Sequence, residues 1–140
     1  MIVEHAKYLT ELLQDAYPAL AVERTPSRPE QYTLRSQQGA MLLFFREARY
    51  SDPARPSPHG IDELQFELTI LKKNLQRTGA ADGIEEMIDD LGKALSGIRF
   101  SGFVYYPAGA GFSDYDASAG VWSYDMSLVG YRVTELEVAA

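Results

Sequence analysis

The sequence predicts a single α+β domain: a mostly antiparallel sheet of four to five strands with two helices packed on it. Three observations carry this. Leu64-Gln65-Phe66-Glu67-Leu68-Thr69-Ile70 alternates apolar and polar residues with the period of two that a half-buried strand requires. Two segments, 2–16 and 82–95, instead place apolar residues at three- and four-residue steps, the spacing of an amphipathic helix. Strands and helices then follow one another as helix, two or three strands, helix, two strands, which fits helices gathered on one sheet.

The first helix is read from Ile2, Ala6, Leu9, Leu12, Leu13 and Ala16. It ends at Tyr17-Pro18, because a proline pushes the residue before it out of helical geometry. Thr25-Pro26-Ser27-Arg28-Pro29 is a connector. The unbroken apolar run 40–45, extended by 46–50, reads as a strand between Gly39 and Asp52-Pro53. Segment 52–60, with prolines at 53, 56 and 58, reads as an exposed loop.

The second helix opens with Asp82 as N-cap and Glu85 three residues on, the pattern of a capping box. Ile84, Met87, Ile88, Leu91 and Leu95 form its apolar stripe, with Glu85, Glu86, Asp89 and Asp90 facing away. Gly97 stands where a left-handed cap ends a helix. Residues 100–106 are a strand that Pro107 interrupts, and 107–120 reads as a flexible loop holding Phe112 and Tyr115. The last strand carries Trp122, Tyr124, Met126 and Leu128 on one side. Past Val129-Gly130 the apolar side shifts to Tyr131 and Val133, so a glycine bulge is expected there.

Composition narrows the function. The chain has 140 residues, the size of one domain, and no cysteine, so disulfides, a thiolate nucleophile and cysteine-based zinc are excluded. The N-terminus shows no secretory signal, and no apolar run approaches the roughly 18 residues of a membrane span. Residues 1–60 carry seven basic and seven acidic side chains, whereas residues 61–140 carry six and thirteen, which accounts for the whole net charge of −7. Such a surface repels a phosphate backbone, so sequence-specific nucleic-acid binding is not expected.

Chemistry-bearing groups are sparse. His5 and His59 have no interpretable partner nearby, and a solvated surface position is the expectation for both. Two distant histidines make no usual metal set. Asp114-Tyr115-Asp116 lacks the other oxygens and the turn glycine of a calcium loop. No catalytic residue, metal or cofactor is assigned, and the chain is not expected to be an enzyme. The aromatic residues say more. Of nine tyrosines, five fall at 105, 106, 115, 124 and 131. Tyr105 and Tyr106 are adjacent in a strand and point to opposite faces, so one face beyond the core carries aromatic residues.

Four segments carry a family resemblance: Gly39 to Tyr50, Phe66 to Leu75, Leu91-Gly92-Lys93-Ala94-Leu95-Ser96-Gly97, and Val121-Trp122-Ser123-Tyr124-Asp125-Met126. In order and spacing they resemble the Mu-like phage family of small tail proteins, counted among tail terminator or tail-completion proteins. The family often has a proline soon after the helix-ending glycine; here Ile98-Arg99-Phe100 follows instead. The resemblance implies a tail-terminator-like domain over the whole chain and a ring of subunits, six in number, at the head-proximal end of the tail tube. It would stop tube and sheath growth and offer a docking face to the neck. The implied partners are further copies of the chain, the tail tube protein, the sheath and neck or head-completion proteins, within a virion tail assembled in the bacterial cytoplasm. The alternatives are a head-completion or neck adaptor and, from another class, a small carboxylate-dependent hydrolase. Candidate contact residues are Tyr105, Tyr106, Phe112, Tyr115, Tyr131, Arg46 and Arg49. Segments 51–62 and 107–120 are expected at the ring faces, and the acidic bias along part of the channel.

Overall fold

The computed structural model describes residues 2–26, 39–51, 54, 60–73 and 81–133, with the side chains of 81–83 excepted. In chain order the elements are α1 (Ile2–Ala16), β1 (Ala21–Arg24), β2 (Ala40–Tyr50), β3 (Ile61–Lys73), α2 (Ala81–Leu95), β4 (Ile98–Phe100), β5 (Phe103–Asp116) and β6 (Val121–Arg132). The strands form one sheet in the order β1-β2-β3-β6-β5-β4. Every neighbouring pair is antiparallel except β1 with β2. The fold class is α+β as expected, but the sheet has six strands and a parallel edge rather than four to five strands.

Pairing register assigns the faces. Met41, Leu43 and Phe45 of β2 stand opposite Ile70, Leu68 and Phe66 of β3. Those three in turn face Tyr124, Met126 and Leu128 of β6. Side chains alternate along strands, so these residues share one side of the sheet, and both helices cover it. Ala6, Leu9 and Leu13 of α1 and Ile84, Leu91 and Leu95 of α2 join them in one continuous buried core. The opposite side carries Glu63, Gln65 and Glu67 of β3 with Asp125 and Ser127 of β6, none of them fully buried.

The helices follow their apolar periodicity. Residues 5, 6, 9, 10 and 13 of α1 are buried, a stripe at i, i+1, i+4, i+5 and i+8. In α2 the exposed residues include Glu85, Glu86, Asp89 and Asp90, as the pattern required. The helix starts at Ala81, so Asp82 falls in its first turn, and the expected Asp82 cap involves a side chain outside the described set. Gly97, at φ 81°, supplies the left-handed cap.

Four expectations need correction. Residues 98–106 are two strands, because Ser101 (φ 50°) and Gly102 (φ 81°) make a tight two-residue turn between β4 and β5. Two positive φ values in a row are the signature of the turn that matches the twist of a hairpin. Second, 107–120 is no loop. β5 continues through Pro107 to Asp116 and pairs with β6 along its whole length, leaving only a turn at 117–120. Proline is tolerated here because β4 pairs only with Phe103–Tyr105, so β5 is an edge strand beyond that point.

Third, no bulge lies at Gly130, which pairs regularly with Leu64 and Tyr105. Register shifts sit elsewhere: in β5 between Pro107 and Gly109 and between Phe112 and Asp114, and in the β2–β3 pairing between Phe45 and Glu47 and between Arg49 and Tyr50. Gly130 has a different reason: a Cβ built there would lie 2.5 Å from a Tyr105 ring carbon. Fourth, His5 is buried, not solvated. Of segment 52–60, residues 52–53 and 55–59 lie outside the described set. Its base is closed by the Ser51 amide donating to the Gly60 carbonyl (2.6 Å) and the Ser51 hydroxyl donating to Asp62 (2.8 Å).

Candidate functional site

Two surfaces remain once the core is accounted for: the sheet face that the described helices do not cover, and the far end of the β5–β6 hairpin. On the uncovered face, β2 and β3 carry facing charges, with Arg49 registered opposite Glu63 and Arg46 at the bulge between Phe45 and Glu47. Arg46 donates to Glu67 at 2.8 Å, and Arg49 lies 3.5 Å from both Glu47 and Glu63. The arginines are the outer partners, with side chains 59% and 63% exposed, while Glu63 and Glu67 sit inboard on β3. Thr69 donates to Asp125 at 3.0 Å across the same face. Glu47, Glu63 and Glu67 thus lie against arginines, whereas among the described residues no ion pair reaches Asp114 or Asp116 on the same face of the arm.

Arg46→Ala is expected to move the unfolding midpoint little, by less than about 1 kcal/mol, since exposed pairs contribute no more than that. Chemical denaturation checks this; a larger loss would mean that the pair stabilises the fold rather than a contact.

Beside the charges, Tyr106 and Tyr131 stand out from this face, both about half exposed. Tyr106 pairs with Val129, and Tyr131 with Val104, so the four side chains form an aromatic and aliphatic quartet at one end of the sheet. On the helix side of the arm, Phe112, Tyr115, Trp122 and Tyr124 form a second group. Phe112 is edge-on to Trp122 (6.0 Å) and Tyr124 (5.7 Å), and Tyr115 tilts against Trp122 at 4.6 Å. Phe112 is 57% exposed and makes the cluster an apolar surface, while Trp122 and Tyr124 are half-buried against the core. At the tip, Asp116 accepts from the Ser118 hydroxyl and from the amides of Ala119 and Ser118, which holds its carboxyl below the ordinary range.

The structure thus separates the seven sequence-derived contact residues. Tyr106 and Tyr131 share the uncovered face with Arg46 and Arg49, while Phe112 and Tyr115 lie on the other side of the arm. Tyr105 belongs to none of these surfaces. It is fully buried, packs at 6.3 Å from Phe66, and its hydroxyl lies 2.6 Å from His5 Nδ1. Its place opposite Gly130 explains this: only a strand position without a side chain leaves room for the ring. The sequence reads Trp122 and Tyr124 as strand-face residues and not as surface contacts; the β5 strand that brings Phe112 and Tyr115 against them is hidden by Pro107.

His5 is buried beside Tyr105. It is edge-on to Phe100 (4.8 Å) and Phe103 (5.0 Å), and its Nε2 has no hydrogen-bond partner among the described residues. Burial lowers its pKa below the ordinary 6.5, the positive amino terminus and Arg132 act in the same direction, and Glu4 opposes them. The folded state therefore binds fewer protons than the unfolded one just below pH 6.5. Stability is fully present above that pH and falls as the solution is acidified through the window toward the folded pKa. The slope is up to about 1.4 kcal/mol per pH unit, the limit for one proton. Urea melts of the native chain and of His5→Gln between pH 7 and 5 test this; parallel curves for the two would refute it. Among the described residues no cluster of three or more histidines and carboxylates is able to hold a metal ion.

A family model described as Gp37 protein matches residues 9–137, nearly the whole chain, and the chain belongs to that family. This makes it a phage protein. No curated protein shows significant similarity to it.

Proposed function

We propose that the chain is a structural subunit of a phage tail, or of a tail-like particle, and forms a six-membered ring at the head-proximal end of the tail tube. There it ends tube and sheath polymerisation and presents a docking face to the neck. The observation that carries this reading is the β5–β6 arm, with the aromatic cluster on one side and carboxylates on the other, in a chain of a phage family. The Mu-like resemblance of the four segments supplies the terminator role. Ring closure needs one patch to meet a different patch on the next copy. The β5–β6 arm and the opposite, β2 side of the sheet are two such unlike patches. Burying rigid rings at their meeting gives contact area at little cost in side-chain entropy. The role requires no bond to be made or broken.

Particles assembled without this protein are expected to have tails of uncontrolled length under electron microscopy. Tails of normal length that fail to join heads would sink the terminator assignment in favour of a neck adaptor.

A further inference from the structure

The two outer strands of the sheet are both shorter than the strands they pair with, and at opposite ends. β1 covers only Ala40–Leu43 of β2, so among the described residues the outer edge of 44–50 has no backbone partner. β4 covers only Phe103–Tyr105 of β5, which leaves the outer edge of the arm open in the same sense. One side of the molecule therefore carries a notch of seven residues, roughly 23 Å at 3.3 Å per residue, and the other an overhang. Unpaired strand edges are templates for another chain.

We propose that the arm edge over 109–116 adds to the β2 edge over 44–50 of a second copy of this chain, so that successive sheets run on as one. This rests on the ring reading and names its contact. Four features fit the two edges to one another. β2 and β5 run in opposite directions within the sheet, so a copy keeping the same face outward meets its neighbour antiparallel. Offsetting the copies along the strands by roughly 20 Å, six residues, carries β1 of one past the arm tip of the other, and neither short strand obstructs. The charges also agree. Arg46 and Arg49 lie on the uncovered face of β2, and Asp114 and Asp116 on the same face of the arm, because the bulge after Phe112 keeps them in phase. On the helix side, Phe112 and Tyr115 meet Phe45. The two edges differ, so the contact is head-to-tail and closes into a ring or runs on.

The native chain has no cysteine, which makes thiol cross-linking clean. Ala48→Cys in one preparation is mixed with Ser113→Cys or Tyr115→Cys in another and treated with a short bismaleimide. The same is done in purified tails carrying the variants, and circular dichroism checks folding. Covalent dimers are expected from these mixtures and not from Ala48→Cys with Glu11→Cys on α1. D114K/D116K is expected to cut their yield at least tenfold. An undiminished yield with D114K/D116K overturns the proposed charge match and the register built on it. Multimers seen by light scattering, or rings seen on tails, without this cross-link overturn the edge contact and leave the ring standing. Monomers throughout, in solution and on tails, overturn both. Cross-linking confined within single chains carrying both cysteines assigns the notch to another part of the same chain and overturns the proposal.

Discussion

Tyr105→Ala is expected to lower the stability of the fold by about 3–5 kcal/mol, the range for removing a fully buried aromatic side chain. Small domains have about 5–15 kcal/mol in total, so the variant sits near the limit of folding at all. The size follows from its surroundings. The ring closes the layer between Phe66 and the bare backbone of Gly130, and its hydroxyl is the partner of the buried His5. Tyr105→Phe separates the two contributions. It keeps the ring and leaves His5 Nδ1 unpartnered, a loss of about 1–3 kcal/mol. Urea denaturation of both variants decides the matter. A loss under about 1.5 kcal/mol for Tyr105→Ala would show that the layer does not depend on this ring. The consequence for function is that Tyr105 acts from inside, fixing where α1 and the base of the arm meet. Its loss should deplete the chain from particles only as far as it depletes folded protein, unlike changes at Phe112 or Asp114.

What the sequence discloses here depends on length of pattern. α1 and α2 each repeat their apolar spacing over about four turns, and their extents were legible almost to the residue. β2 and β3 were legible for the same reason, as an unbroken apolar run and a long alternation. β1 and β4 are four and three residues long, too short for any periodicity to register. The Ser101-Gly102 turn hid the boundary between β4 and β5 by being only two residues. Pro107 misled because a proline rules out a central strand but not an edge, and edge status belongs to the assembled sheet. His5 left a usable signal: it is four residues before Leu9 and eight before Leu13, on the buried stripe. For the contact residues the sequence identified aromatic content but not direction. The adjacency of Tyr105 and Tyr106 required opposite faces, and only the covering helices decide which of the two is buried.

The pairing of Tyr105 with Gly130 gives the sharpest quantitative test of this packing, because the two positions should fail to add. Gly130→Ala places a methyl 2.5–2.9 Å from three Tyr105 ring carbons, closer than atoms pack. Either the ring leaves its rotamer or β6 moves, at about 1–3 kcal/mol for an overfilled site. With Tyr105→Ala already made, the obstruction is gone, and the added methyl fills part of the space and removes the entropic disadvantage of glycine in a strand. The second change is then neutral or stabilising. Residues in direct contact show interaction energies of about 0.5–3 kcal/mol in such cycles, and the upper half of that range is expected here. A double variant whose loss equals the sum of the single losses would mean that the ring does not occupy the glycine's place in solution. The bare position in β6 would then need another cause, such as a close approach from a neighbouring subunit's backbone.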